Sequence, residues 1–155
     1  MRIFSASAKN ADDILRILSP SIKEGVVLPR DKPDILRAIE TFFVAELEGR
    51  VVGCTAVKDY GYGLFEIRSL AVERTHNNKG IGKKLISFAV EIISTNKNAK
   101  RIFALTLRPE VFIKTGFRQT EITDFPEKIC YDCSNCSRPK CDEVAVVYNF
   151  QTIIK

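Results

Sequence analysis

Apolar residues recur along the chain in two beats, the two-residue alternation of strands and the three-and-four spacing of helices. The spacing predicts a first strand over 2–7. A helix follows, opened by Asn10-Ala11-Asp12-Asp13 and carrying Ile14, Leu15, Ile17 and Leu18 until Ser19-Pro20 stops it. Residues 21–28 read as a connection, and Asp31-Lys32-Pro33 as the cap and first turn of a second helix through Ile39. Strand-forming runs at 42–48 and 51–58 are joined by Glu48-Gly49-Arg50, a hairpin by length and by its glycine. After Tyr60-Gly61-Tyr62-Gly63 a third run, 64–72, completes an antiparallel meander.

Beyond that run the period changes. A polar loop over 73–79 leads into Gly80-Ile81-Gly82 and a helix whose apolar face is Ile81, Leu85, Ala89, Ile92 and Ile93, widened by Ile86 and Val90. Its outer face is Lys83, Lys84, Ser87 and Glu91. A further strand is expected over 101–107, a short helix over 109–115 closed by Gly116, a strand from Phe117 and a last strand over 144–150. The junction at 77–83 carries candidate chemistry. Free N–H groups converge at a helix start, and glycines let an anion approach the main chain. Lys79, Lys83 and Lys84 add positive charge where the helix dipole already favours an anion. The expected ligand is a diphosphate.

Composition narrows the class. A chain of 155 residues, 45% hydrophobic and 28% charged, suffices for one domain with a single core over 1–155. No apolar window is long enough to span a bilayer, and the first residues lack a signal-peptide core, so the expected address is the cytoplasm. A net charge of +5, from 24 basic and 19 acidic residues, suits an anionic small molecule. The basic residues are dispersed and lack aromatic interleaving, so no nucleic-acid partner is expected.

Five cysteines are present, with Cys54 alone in an apolar alternation that suits a small core residue. The other four, Cys130, Cys133, Cys136 and Cys141, lie within the segment 121–142, between the last two strands. Four thiolates at this spacing suit a tetrahedral structural zinc. An iron–sulfur cluster and one or two disulfides are the competing readings. His76 is the single histidine, which excludes a multi-histidine metal centre, and its polar loop makes it an exposed residue.

Asn77-Asn78-Lys79-Gly80-Ile81-Gly82 resembles the [Gln/Arg]-x-x-Gly-x-[Gly/Ala] loop that grips the pyrophosphate of coenzyme A in the GNAT superfamily of N-acyltransferases, with Asn77 where Gln or Arg is usual. The preceding Leu70-Ala71-Val72 and the later Val111-Phe112-Ile113-Lys114-Thr115-Gly116-Phe117 are similar to segments of that family. So is the order β-α-α-β-β-β-α-β-α-β, followed by the Cys-rich segment and a final strand. Val27-Leu28-Pro29-Arg30, Phe42 to Glu46, Val51 to Ala56 and Leu105-Thr106-Leu107-Arg108 further resemble the acetyltransferase domain of N-acetylglutamate synthases.

That resemblance implies a layered α/β fold with a mixed, mostly antiparallel twisted sheet. It implies acetyl-CoA as co-substrate and a small-molecule amine as acceptor, with an amino acid such as glutamate foremost. A homodimer is left open. Coenzyme A would be held by Leu70, Ala71, Val72, Asn77, Asn78, Lys79, Gly80, Ile81, Gly82, Lys83 and Phe112, and the backbone N–H of Leu70 or Val72 would meet the thioester oxygen. Phe112 stands where the family often has a Tyr that protonates the departing thiolate. Glu66 is the candidate base, its apolar neighbours favouring a raised carboxylate pKa; pairing with a basic residue across the sheet is the alternative. Arg30 and Arg108 match arginines of the synthase motifs and would hold substrate carboxylates in their planar forks, against the reading that both are solvated surface charges. The Cys-rich segment would order the lip of the substrate cleft. Two other functions remain open, acetylation of protein N-termini or lysines and a non-catalytic acyl-CoA-binding or docking module.

Overall fold

A computed structural model of the protein describes residues 1–25, 29–125 and 143–150. The strands are β1 (Arg2–Ser5), β2 (Phe42–Leu47), β3 (Arg50–Gly61), β4 (Leu64–Val72), β5 (Arg101–Thr106), β6 (Arg118–Thr120) and β7 (Val144–Asn149). The helices are α1 (Ala11–Lys23), α2 (Lys32–Arg37), α3 (Ile81–Ser94) and α4 (Pro109–Ile113). One seven-stranded sheet runs in the order β1-β2-β3-β4-β5-β7-β6, antiparallel at every step except β4 to β5. A layered α/β domain with a mostly antiparallel sheet is therefore what the chain forms.

Both faces of the sheet are covered. On one, Ile81 and Leu85 of α3 pack with Ala45 and Val52, while Ile86, Ala89 and Ile93 pack with Phe65, Ile67, Ile102, Ala104 and Phe112. Side chains of this kind contribute about 1.5–3 kcal/mol each when fully buried. Gly53 permits the close approach, since a Cβ there would lie 3.0 Å from Leu85 Cδ1 and 3.2 Å from Ile81 Cγ2. On the other face, Ala11, Ile14, Ile17 and Leu18 of α1 join Ile35 of α2 over Phe42, Val44, Cys54, Ala56 and Ala71. A separate cluster of Leu64, Phe103, Phe125, Ala145 and Val147 covers the β5–β7 part of that face. Between these two clusters the face carries Glu66 and Arg68.

Several expectations need correction. Helix α1 does not stop at Ser19-Pro20 but continues to Lys23. A proline removes a single intrahelical donor and tends to kink a helix. Here Ile22 packs on the core beyond it, and Glu24 N–H closes onto the Pro20 carbonyl at 3.1 Å. Ile92 is 43% exposed, off the buried stripe of α3. The first strand ends at Ser5, two residues early. Helix α2 starts where its cap predicts, with Asp31 Oδ1 accepting from Asp34 N–H at 2.9 Å. The segment between β6 and β7 begins with a 3-10 turn, Ile122–Asp124, and Phe125 stacks on Phe103 with ring centroids 4.2 Å apart. Cys130, Cys133, Cys136 and Cys141 lie outside the described residues. Among the described residues, no helix is long and apolar enough to cross a membrane.

Candidate active site

Strands β4 and β5 pair over only three residues each, Leu64, Phe65 and Glu66 against Arg101, Ile102 and Phe103. Beyond that point β4 stays on β3 as far as Val72, and β5 stays on β7 as far as Thr106. The sheet therefore splits into a wedge whose vertex is Glu66. Within the wedge β4 bulges. Cys54 pairs with Ala71 and Ala56 with Arg68, so two steps on β3 face three on β4, and the extra residue, Ser69, has φ +53°. An L-residue there costs about 1–2 kcal/mol. Side chains from β3 offset the lost ladder bonds, with Thr55 Oγ1 donating to the Arg68 carbonyl at 3.1 Å and Cys54 Sγ to the Ser69 carbonyl at 3.6 Å. Burial pushes the Cys54 thiol up to about 12, so it packs and does not react.

The bulge has a consequence for side-chain direction. Phe65 and Ile67 pack toward α3, and so do Leu70 and Val72, which a regular strand would place on the opposite face from them. The inserted residue keeps the apolar side on α3 while Glu66, Arg68 and Ala71 share the other face. Leu70, Ala71 and Val72 thus lie along the stretch of β4 that β5 has left.

After β4 the chain makes a 3-10 turn, Arg74–His76, then the loop into α3. The root of this loop is pinned. Glu73 accepts from Arg50 Nε at 3.1 Å and from Arg16 Nη1 at 2.9 Å, and its N–H donates to the Val52 carbonyl at 2.7 Å. The Arg50 hydrogen bond, reinforced by the charges of Arg50 and Arg16, holds the Glu73 carboxyl below the usual glutamate range. An Arg74–Glu24 ion pair ties the turn to the residue that follows α1. Asn78 and Gly80 then take positive φ, +66° and +77°. Among the described residues, no backbone N–H from 78 to 83 donates to a main-chain carbonyl, the first such helical bond being Lys84 N–H to the Gly80 carbonyl at 3.1 Å. A Cβ on Gly80 would meet nothing within 4 Å, so there is room beside Gly80 itself. Amides converging in this way at a helix N-terminus fit a diphosphate.

A cavity of about 760 Å3 joins the cradle to the wedge. It is lined by Asn77, Asn78, Gly80, Ile81, Gly82 and Lys83 at one end, by Leu70, Ala71, Val72, Phe112 and Val111 along the middle, and by Glu66, Arg68, Arg30, Arg108 and Glu143 at the other. Lys79 alone of the expected cofactor residues is absent from the lining; its side chain is exposed. Glu66 is 1% exposed and accepts from Tyr60 Oη at 2.9 Å, with Arg68 Nη1 at 3.7 Å. Basic residues neighbour it on both sides, Arg68 on the same strand and Lys58 opposite it on β3. Arg30 rests over the Phe42 ring, 5.4 Å from its centroid, and is half-buried; Arg108 caps α4 in the open, its N–H on Thr106 Oγ1 at 2.9 Å. His76 is half-buried, not exposed, with Nδ1 3.4 Å from Glu73.

Sequence reasoning missed Arg68, Ser69, Tyr60 and Arg74. A signal for the bulge was present, because the apolar positions change phase between Ile67 and Leu70. Arg68, two residues from Glu66, follows from strand alternation alone. Among the described residues, no group of three His, Cys, Asp or Glu side chains could hold a metal.

Residues 38–119 match the family described as acetyltransferase (GNAT) domain. An uncharacterised N-acetyltransferase of Chlorobaculum tepidum is 40% identical over 144 residues, 92% of this chain and 92% of that one. The amino-acid acetyltransferase of Ralstonia nicotianae is 32% identical over 79% of this chain, which spans only 27% of that longer protein. Among solved structures, N-acetylglutamate synthase from Neisseria gonorrhoeae, complexed with coenzyme A and N-acetyl-glutamate, superposes with a TM-score of 0.86 at 23% identity, over 97% of this chain and 35% of that one. At that identity the likeness is one of fold.

Proposed function

The chain belongs to the acetyltransferase (GNAT) domain family, and from that premise we propose that it transfers an acetyl group from acetyl-CoA to the amine of a small anionic amino acid, glutamate being the sharpest candidate. The observation that carries the reading is one cavity whose lining includes the amide cradle, the buried Glu66 carboxylate and the arginines Arg30, Arg68 and Arg108, and which reaches to where β4 and β5 part. The amino-acid acetyltransferase among the relatives supports the same acceptor class.

Acetyl-CoA would supply the acetyl thioester, its diphosphate suiting the amides of residues 78–83 and its thioester end the wedge. Glu66 accepts the ammonium proton, directly or through a water, and the N–H of Leu70 or Val72 receives the carbonyl oxygen. Arg30 and Arg108 fork onto the acceptor's carboxylates. Phe112, buried against Phe117 with ring centroids 5.3 Å apart, has no proton to give, so the departing thiolate takes one from elsewhere. Cys130, Cys133, Cys136 and Cys141 hold a structural zinc in this proposal; near one zinc per chain in anaerobically purified protein supports it, and a brown, iron-containing sample overturns it.

Thiol release from acetyl-CoA, followed across amino acids, polyamines and peptides, tests the function. Turnover with glutamate is expected. Turnover confined to peptides would mean a protein acetyltransferase, and tight acyl-CoA binding without turnover on any amine would mean a binding module.

A further inference from the structure

Burying a carboxylate is costly unless donors compensate it, and Glu66 is buried while lining the cavity. One of its donors is a side chain outside the cavity lining. Tyr60, near the end of β3, places Oη 2.9 Å from Glu66 Oε1. The ring is itself held, tilted 40° against Phe103 at 5.7 Å between centroids, with Phe103 stacked on Phe125 and Lys58 Nζ 4.8 Å from the Tyr60 centroid. A row of rings thus runs from the segment after β6, along one face of the sheet, to the carboxylate. We propose that Tyr60 is a positioning residue, which aims the Glu66 carboxylate into the wedge by donating a hydrogen bond to it from behind. This rests on the reading of Glu66 as the base.

The other charged and titratable groups around Glu66 are Lys58, opposite it on β3, Arg68 on β4, Arg101 at the start of β5, and Arg30, Arg108 and Glu143 around the cavity. None of them changes when the phenol oxygen alone is removed. An O–H donor favours the anionic form of a carboxylate, so its loss leaves the base protonated to a higher pH.

The test is Tyr60→Phe, which keeps the ring, assayed by thiol release from acetyl-CoA with the fastest amine of the panel over pH 5 to 9. The acidic limb of kcat/KM should move up by about one pH unit, the order expected of one hydrogen bond to a charged group, with coenzyme A binding unchanged. A purely packing role would lower Tm or the rate at every pH and leave the limb in place, which overturns the proposal. Should Tyr60→Phe fail to fold, 3-fluorotyrosine at position 60, an isosteric and stronger donor, should move the limb the opposite way; no movement overturns the proposal. Glu66→Gln separates the two readings. If it retains wild-type turnover and limb, the base reading falls and Tyr60 with it; if it loses turnover while the Tyr60 variants leave the limb still, only the Tyr60 proposal falls.

Discussion

The two ends of the cavity are built in opposite ways. At the cradle the proposed binding groups are main-chain amides of six consecutive residues, 78–83, oriented by two positive φ angles and a helix start. At the acceptor end the proposed groups are the side chains of Arg30, Glu66, Arg68 and Arg108, which the fold brings from the connection before α2, from β4 at and just beyond the vertex of the wedge, and from the residue before α4. A main-chain site tolerates change of side chain, as at Asn77, and depends on backbone shape. A side-chain site depends on identity, so a single substitution there can change what is acetylated without touching what binds the donor.

The sharpest way to break this contrast is Glu66→Gln. Loss of a positioned base should lower kcat about 100-fold or more, with coenzyme A affinity unchanged by calorimetry; a fall in that affinity would mean the two ends are one site. Next, Arg30→Ala and Arg108→Ala should each raise the acceptor KM by about 10-fold, the scale of a lost charge-assisted hydrogen bond. The half-buried Arg30 should show the larger effect, and the KM for acetyl-CoA should stay put. Gly80→Ala works at the other end. Its φ of +77° strains any Cβ by about 1 kcal/mol and the methyl enters the cradle, so coenzyme A should bind about 5-fold to 10-fold more weakly while the acceptor KM holds.

The smallest effect concerns the anchor of the loop. Glu73 is held below the ordinary glutamate value of 4.5 chiefly by Arg50. A carboxyl with a lowered folded-state pKa stabilises the fold fully above its unfolded value and stops doing so as pH falls through the lowered one. Thermal unfolding should therefore show wild type slightly more stable than Glu73→Gln at neutral pH. That advantage should vanish as pH drops below about 4.5, and a gap persisting into stronger acid would show that packing, not charge, anchors the loop.

The same contrast explains what could be read from the chain alone. The cradle was legible because its glycines and helix start are contiguous, and nothing distant is needed to recognise it. The element order was legible wherever apolar period and caps agreed, as at Asp31 and Gly116. Pro20 misled because packing of Ile22 outweighs a lost helical donor. Glu66, Arg30 and Arg108 could be named only through resemblance, since no local pattern says that residues 36 and 42 positions apart share a cavity. Tyr60 and Ser69 needed the register of β3 on β4, and the phase change from Ile67 to Leu70 was its one trace in the sequence.

The central claim is that the amides of residues 78–83 receive a diphosphate, and calorimetric titration tests it most directly. Coenzyme A should bind the wild-type protein saturably at or below millimolar concentration, and pantetheine, which lacks the diphosphate, should bind far more weakly. Equal binding of the two, or no heat with coenzyme A at millimolar concentration, would contradict the account.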